Sequence, residues 1–370
     1  MNRLLFALAL CLLASTALAA PRYAVTDLGQ LPLPPDPSIQ GNPNFTGGSD
    51  IIANAYDLTT KAIALNNEGQ VVGQSNGQAF LWQNGVMRGL GVLPSTGWGD
   101  YNTSRADAIN STGEAVGGSG GFGPLVMSGL YDCYAFRYAN GKMESLSSAM
   151  EARSYEAFGI NDRGDIVGLH EYHAFYRHNG RLVDLGTLSH VPAGNRSHAD
   201  GLNERGQVVG VSSVGNPGAL YSHATLWRQH GNNWRATDLK TLPGYVNSEA
   251  HAINNPEQIV GEATLDGPGK PGQIWGRAFL WNRGRMSALP GAEDSTAQAI
   301  NDRGQIVGMA GGKAALWQDG RVYDLNTLTS STSGWVLTAA TGINSRGQIV
   351  GTGTLHGQTR AFLLTPQKNK

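Results

Sequence analysis

Cysteine is almost missing from this chain: of 370 residues, only Cys11 and Cys133 carry a thiol. Cys11 falls in an N-terminal segment expected to be removed, so no intramolecular disulfide can staple the mature protein and stability must come from a buried core. Cys133 reads as a small apolar residue entering a strand. Long hydrophobic runs are also lacking. The run from Leu4 to Leu13 is too short to cross a bilayer, and no stretch of roughly eighteen apolar residues occurs elsewhere. With Arg3 before it and "ASTALAA" after it, including the small-x-small set Ala17-Leu18-Ala19, the run reads as a secretory signal peptide over residues 1–19. The expected mature protein, residues 20–370 in a single domain, is exported to the periplasm or beyond, without membrane insertion. Charge of one sign is missing too: 27 Lys and Arg stand against 28 Asp and Glu. That balance leaves no electrostatic footprint for nucleic acid or an anionic membrane.

What is present is repetition. The sentence "AINDRGQIVG" (299–308) has close copies centred on Asn66, Asn110, Asn161, Asn203, Asn254, Asn301 and Asn344, spaced 42 to 51 residues apart. That period suits propellers or helical arrays. Each copy is rich in Val, Ile, Phe, Trp and Gly in short runs split by turn residues, without helical periodicity, so strands are expected. Four fit in each copy. The first ends at the Asn, and the positions four and two before it are always Ala or Gly, which implies close packing against that strand. Asn with a Gly three residues on predicts a tight turn; only the fifth copy departs, with Glu257 in the Gly position. The second strand ends in the Gly of "QIVG". The third is "AFLW" or a variant, with Trp82, Trp227, Trp281 and Trp317 expected in the core. An "NG", "DG" or "RG" turn leads to the fourth, as in "GRLVDLGTL" (180–188).

The seventh copy has no fourth strand. "YAVTDLGQL", Tyr23 to Leu31, carries the missing pattern at the other end of the chain. A ring makes sense of such a permutation, because the N-terminal strand then covers an edge that would otherwise be exposed. The predicted fold is all-β: a seven-bladed β-propeller of four-stranded blades, closed by residues 23–31 joining the C-terminal blade. The expected repeats run over about 61–104, 105–152, 153–197, 198–247, 248–295, 296–335 and 336–366 plus 23–31, with Val25, Leu28 and Leu31 buried by closure. The "HAF" at His173 to Phe175, the "IN-x-x-G-Q-I-V-G" core and the "DLGTL" tail resemble the HAF-type extracellular repeat family. The resemblance implies an exported bacterial repeat protein and carries over no catalytic residue. The name-giving His occurs only at His173 and His223; Gln78, Tyr134, Arg277, Lys313 and Arg360 replace it elsewhere, which argues against a ligand role.

Loops after strands one and three of a blade lie on one face of the ring and are short here. Those after strands two and four lie on the other and vary widely in length, so that face is the candidate binding surface. Its aromatic residues outside the strand pattern are Trp98, Tyr101, Phe122, Tyr131, Tyr245, Trp275 and Trp335. They suit a glycan or protein ligand, or else seal the junctions between blades. The leading expectation is a monomeric binding module without cofactor. The alternative is a hydrolase or lyase with its site at the channel mouth, using the first-strand residues Asp107, Asp200 and His251. No catalytic residue is assigned and no metal site is expected: "HEYH" (170–173), read as one strand, turns His170 and His173 to opposite faces, and "NDRGD" (161–165) reads as a turn.

Overall fold

The structure, a computed structural model, describes residues 22–33, 59–94, 103–120, 133–146, 155–189, 196–215, 221–265 and 276–367. Its strands form seven antiparallel sheets of four. In six of them the strands pair in sequence order, beginning with the innermost strands Thr60–Leu65, Ser104–Ile109, Tyr155–Ile160, Ser197–Leu202, Asn247–Ile253 and Ser295–Ile300. We number the blades one to six in that order. Blade seven consists of Trp335–Ile343, Ile349–Leu355 and Gln358–Gln367, and its outer strand is Arg22–Asp27. The register runs from Arg22 opposite Gln367 to Asp27 opposite Phe362. The ring is therefore closed by the N-terminal strand. One detail differs from expectation. Tyr23 and Leu28 are fully buried, whereas Val25 and Leu31 are only partly so.

Seven apolar clusters hold the blades together, one at each junction. The "QIVG" strand feeds two of them, because successive side chains point to opposite faces of a sheet. Val71 joins the cluster between blades seven and one, and Val72 the cluster between one and two. All four third-strand tryptophans are buried. Polar latches cross the same junctions. The hydroxyls of Ser104, Ser197, Ser248 and Ser295 accept from the backbone N–H of Ala79, Ala174, Ala224 and Ala278 in the preceding blade, at 2.9–3.1 Å.

The seven asparagines form a closed circle. In each blade the Asn backbone carbonyl accepts from the residue three on, closing the expected turn. The side-chain Oδ1 accepts from the backbone N–H two and four residues on, except that Asn254 has only the second bond because Pro256 has no N–H. The Nδ2 group then donates to the carbonyl of the next blade's Asn, from Asn66 onto Asn110 and round to Asn344 onto Asn66, at 3.0–3.3 Å. Its second proton reaches the side chain four residues on, which is Gln, Glu or Asp in every blade. Glu257, in the position that is glycine elsewhere, adopts φ +68° and makes the same turn.

Candidate functional site

The innermost strand of each blade carries a β-bulge between the two small positions, for example between Ala106 and Ala108 or Ala199 and Gly201. The residue between them is left unpaired and its side chain is re-aimed. Seven bulged residues thus face the central channel: Ile63, Asp107, Phe158, Asp200, His251, Gln298 and Thr341, around a cavity of about 470 Å³. The bulge also explains the Gly that ends "QIVG". A Cβ on Gly117 or Gly261 would lie 1.9 Å from the carbonyl oxygen of Arg105 or Glu249 on the bulged strand.

The two ends of the channel differ chemically. At the asparagine end, a shallow cavity of about 230 Å³ is lined by the asparagines, a ring of Leu and Ile, and the residues following each Asn. Those polar groups are spent on one another: Asp162 Oδ1 accepts from the Ser111 N–H at 2.7 Å, Glu204 from Asp162 at 3.1 Å, and Asp302 from Asn255 at 2.8 Å. Toward the other end, where the long loops leave the blades, one arc of the wall is ionisable. Bulged residues and residues two before them place Arg105 and Asp107 on blade two, Glu156 on three, His198 and Asp200 on four, and Glu249 and His251 on five. The remaining bulged positions are Phe158, Gln298, Thr341 and Ile63.

Arg105 bridges two blades, donating from Nε to Asp107 at 2.7 Å and from Nη2 to Glu156 at 2.6 Å. His198 Nε2 lies 3.3 Å from Glu249 Oε1 and 3.4 Å from Asp200 Oδ2. His251 Nδ1 meets the carbonyl oxygen of Ala297 at 2.9 Å. Burial pushes the carboxyls of both Asp107 and Asp200 up to about 7, against the pull of Arg105 and His198 respectively. Burial alone would lower His198, but Asp200 and Glu249 outweigh it and raise the imidazole to about 9. One oxygen of each aspartate, Asp107 Oδ2 and Asp200 Oδ2, is buried without a hydrogen bond. Such an orphaned acceptor is costly unless something bonds to it. Two carboxyls near neutrality, each able to donate or accept a proton, can bind hydroxyl groups or exchange protons with them.

Sequence reasoning named Asp107, Asp200 and His251, and the structure brings these three onto one wall. It did not single out Arg105, Glu156, His198 or Glu249, although their spacing of two from the bulged position is visible once the bulge is known. Of the aromatic candidates, Tyr245 packs against the junction between blades four and five, and Trp335 lies edge-on to Phe362 with ring centres 6.0 Å apart. Trp98, Tyr101, Phe122, Tyr131 and Trp275 lie outside the described residues. Cys133 is buried, and that burial raises its thiol well above the usual range, which leaves it unreactive.

One reading is corrected. His170 and His173 are not on one strand; they face each other across a two-residue turn, Glu171 at φ +56°, so they share a face. Their partners still differ, since His170 packs edge-on to Tyr155 and His173 Nδ1 bonds Asp184 at 2.8 Å. In four blades the residue at the "HAF" position has a partner on the outer strand. His173, His223, Lys313 and Arg360 each pair with the Asp of the "DL" motif, at Asp184, Asp238, Asp324 and Asp27. Where that Asp is missing, the residue is Gln78, Tyr134 or Arg277, and Arg277 bonds the carbonyls of Leu289 and Gly291 instead.

No protein-family model matches the chain, and no curated protein matches it. Solved structures do. The extracellular domain of a putative one-component system from B. thetaiotaomicron superposes with a TM-score of 0.50 at 11% identity, covering 85% of this chain, which spans 40% of that protein. The β-propeller domain of the Trilobed protease from Pyrococcus furiosus matches at 9% identity and TM-score 0.45, covering 84% of this chain and 96% of that one. A sialidase from Trypanosoma rangeli matches at 10% identity and TM-score 0.39, covering 84% and 54%. At these identities the likeness concerns the fold. Among the described residues, no helix is long and apolar enough to cross a membrane.

Proposed function

We propose that the protein is an exported propeller of the HAF-repeat type that binds a glycan at the long-loop end of its channel. The observation that carries this reading is the pair of buried, unpartnered carboxylate oxygens on Asp107 and Asp200 within an otherwise bonded ionisable arc. Sugar hydroxyls supply the donors such oxygens need, and Phe158 on the same wall offers a flat apolar surface. The sequence expectation that Trp98, Tyr101, Phe122, Tyr131 and Trp275 extend the binding surface is part of the same proposal. Export rests on the N-terminal segment, and sequencing the secreted chain should find Ala20 first. Glycan-array and calorimetric binding of the mature chain tests the ligand class. Asp107→Ala with Asp200→Ala should weaken binding at least tenfold, whereas unchanged affinity would remove the channel as the site.

A second reading, a hydrolase or lyase at the same place, is favoured by the two carboxyls held near neutrality. Groups whose pKa matches the working pH are suited to general acid and base roles. Turnover of glycan and ester panels with a pH limb near 7, abolished by Asp107→Asn, would establish it. Binding without any turnover would leave the first reading alone.

A further inference from the structure

We infer that His198, Asp200, Glu249 and His251 form a binding site for a divalent first-row transition ion, of the zinc type, bridging blades four and five. One nitrogen or oxygen from each of His198, Asp200 and Glu249 comes together within 4.8 Å, and His251 Nε2 lies 3.9 Å from Glu249 Oε1. Two imidazoles and two carboxylates are a donor set suited to such an ion.

The distances set this group apart from the two Arg105 pairs and from the His173 and His223 pairs. Arg105 to Glu156, Arg105 to Asp107, His173 to Asp184 and His223 to Asp238 all close to 2.6–2.9 Å, as charge-assisted hydrogen bonds do. Around His198 the corresponding separations are 3.3, 3.4 and 3.9 Å. Donor atoms each about 2.0–2.2 Å from one tetrahedral ion stand roughly 3.4 Å apart. These groups are thus spaced as ligands around a common centre. The orientation of His251 is a second, independent observation. Its Nδ1 is engaged by the Ala297 carbonyl at 2.9 Å, which fixes the proton on Nδ1 and leaves the Nε2 lone pair toward the cluster, as outer partners of ligating histidines commonly do. Asp200 Oδ2 is the third: buried, close to His198 Nε2, yet in no hydrogen bond.

The inference shares the Asp200 oxygen with the glycan reading above, but its test uses metal alone. The mature chain, stripped with chelator and dialysed against Zn²⁺ at pH 7.5, should retain one ion per chain by elemental analysis and melt higher with Zn²⁺ than without. His198→Ala and Glu249→Gln should each reduce affinity by about 100-fold or more, while His173→Ala with His223→Ala, which removes two histidines on another part of the blades, should leave it unchanged. Co²⁺ in place of Zn²⁺ should give a visible absorption band in the wild-type chain, a readout that needs no variant to fold. Absence of stoichiometric retention in the folded wild-type chain, or binding that follows His173 and His223 rather than His198, overturns the site.

Discussion

An asparagine side chain offers one acceptor oxygen with two lone pairs and two donor protons, and the seven repeat asparagines use nearly all of them. Asn203 accepts from the backbone N–H of Arg205 and Gln207, and donates to Gln207 Oε1 and the Asn254 carbonyl. Asn203→Ala leaves two part-buried backbone donors unpaired and takes a donor from both Gln207 Oε1 and the Asn254 carbonyl, so it should cost roughly 2–4 kcal/mol in urea unfolding. Asn203→Asp keeps the acceptor and loses only the donations, so it should fall between; wild-type stability in Asn203→Asp would mean that the link to blade five contributes nothing. The Gly that ends "QIVG" makes a sharper case. A Cβ on Gly308 would lie 2.0 Å from the Thr296 carbonyl oxygen, whereas one on Gly284 (φ +83°) meets nothing within 4 Å. Gly308→Ala should therefore cost more than about 4 kcal/mol, and Gly284→Ala about 1–2 kcal/mol for its left-handed backbone. Thermal melts that rank the two alike would contradict the bulge geometry. The turn chemistry of Asn and Gly was legible in the sequence because it is local. The link from one Asn to the next was not, because its partner lies 42 to 51 residues away and the same letter serves as both donor and acceptor.

Within a blade, the third and fourth strands are tied by the pair that joins "HAF" to "DL". Asp238 shows how: its Oδ1 accepts from the Lys240 N–H at 2.7 Å, turning the chain after the strand, and also meets His223 Nδ1 at 2.9 Å. Burial works to raise this carboxyl, but the bonds from His223 and Lys240 overcome it and lower the group from 3.8 to about 2. A depressed carboxylate stabilises the fold fully above its unfolded value and loses that contribution as pH falls through its folded value. Stability should thus decline between about pH 4 and pH 2, and Asp238→Asn should flatten part of that limb in acid titrations followed by fluorescence. A parallel, unflattened acid limb in the variant would show the pairing to be inconsequential. This device was readable in principle, since a His, Lys or Arg stands before the first Ala of the third-strand motif in all four blades that carry the Asp. The bulge was not. Period-two reading places every second residue on one face, and one inserted residue per inner strand reverses that assignment. Arg105 with Asp107 and His198 with Asp200 are spaced for one face, but the contacts of Arg105 with Glu156 and of His198 with Glu249 cross between blades, 51 residues apart, and could not be placed from the sequence.

For the whole molecule the decisive feature is closure, which was legible because a pattern missing at one end of the chain stood at the other. Its energetics needed the structure. The strand Arg22–Asp27 pairs along all six residues with Gln358–Gln367, Tyr23 enters the core between blades six and seven, and Leu28 the core between seven and one. Beyond the strand, the Leu31 N–H donates to Ser75 Oγ at 2.9 Å and its carbonyl accepts from Asn76 at 2.6 Å, so the segment also fastens blade one. Two fully buried apolar side chains are worth about 3–6 kcal/mol together, a large share of the roughly 5–15 kcal/mol that holds a typical domain. A chain beginning at residue 34 should therefore melt far lower than one beginning at residue 20 and should aggregate through the uncovered edge of Gln358–Gln367. A synthetic peptide of residues 20–33, added in trans, should restore much of the lost melting temperature, and its Tyr23→Ala, Leu28→Ala form should not. Val25→Ala in the intact chain should cost less than Leu28→Ala, because Val25 is only half-buried. If the shortened chain melts with the full one, the ring owes nothing to its N-terminal strand and the seven junctions alone suffice to hold it shut.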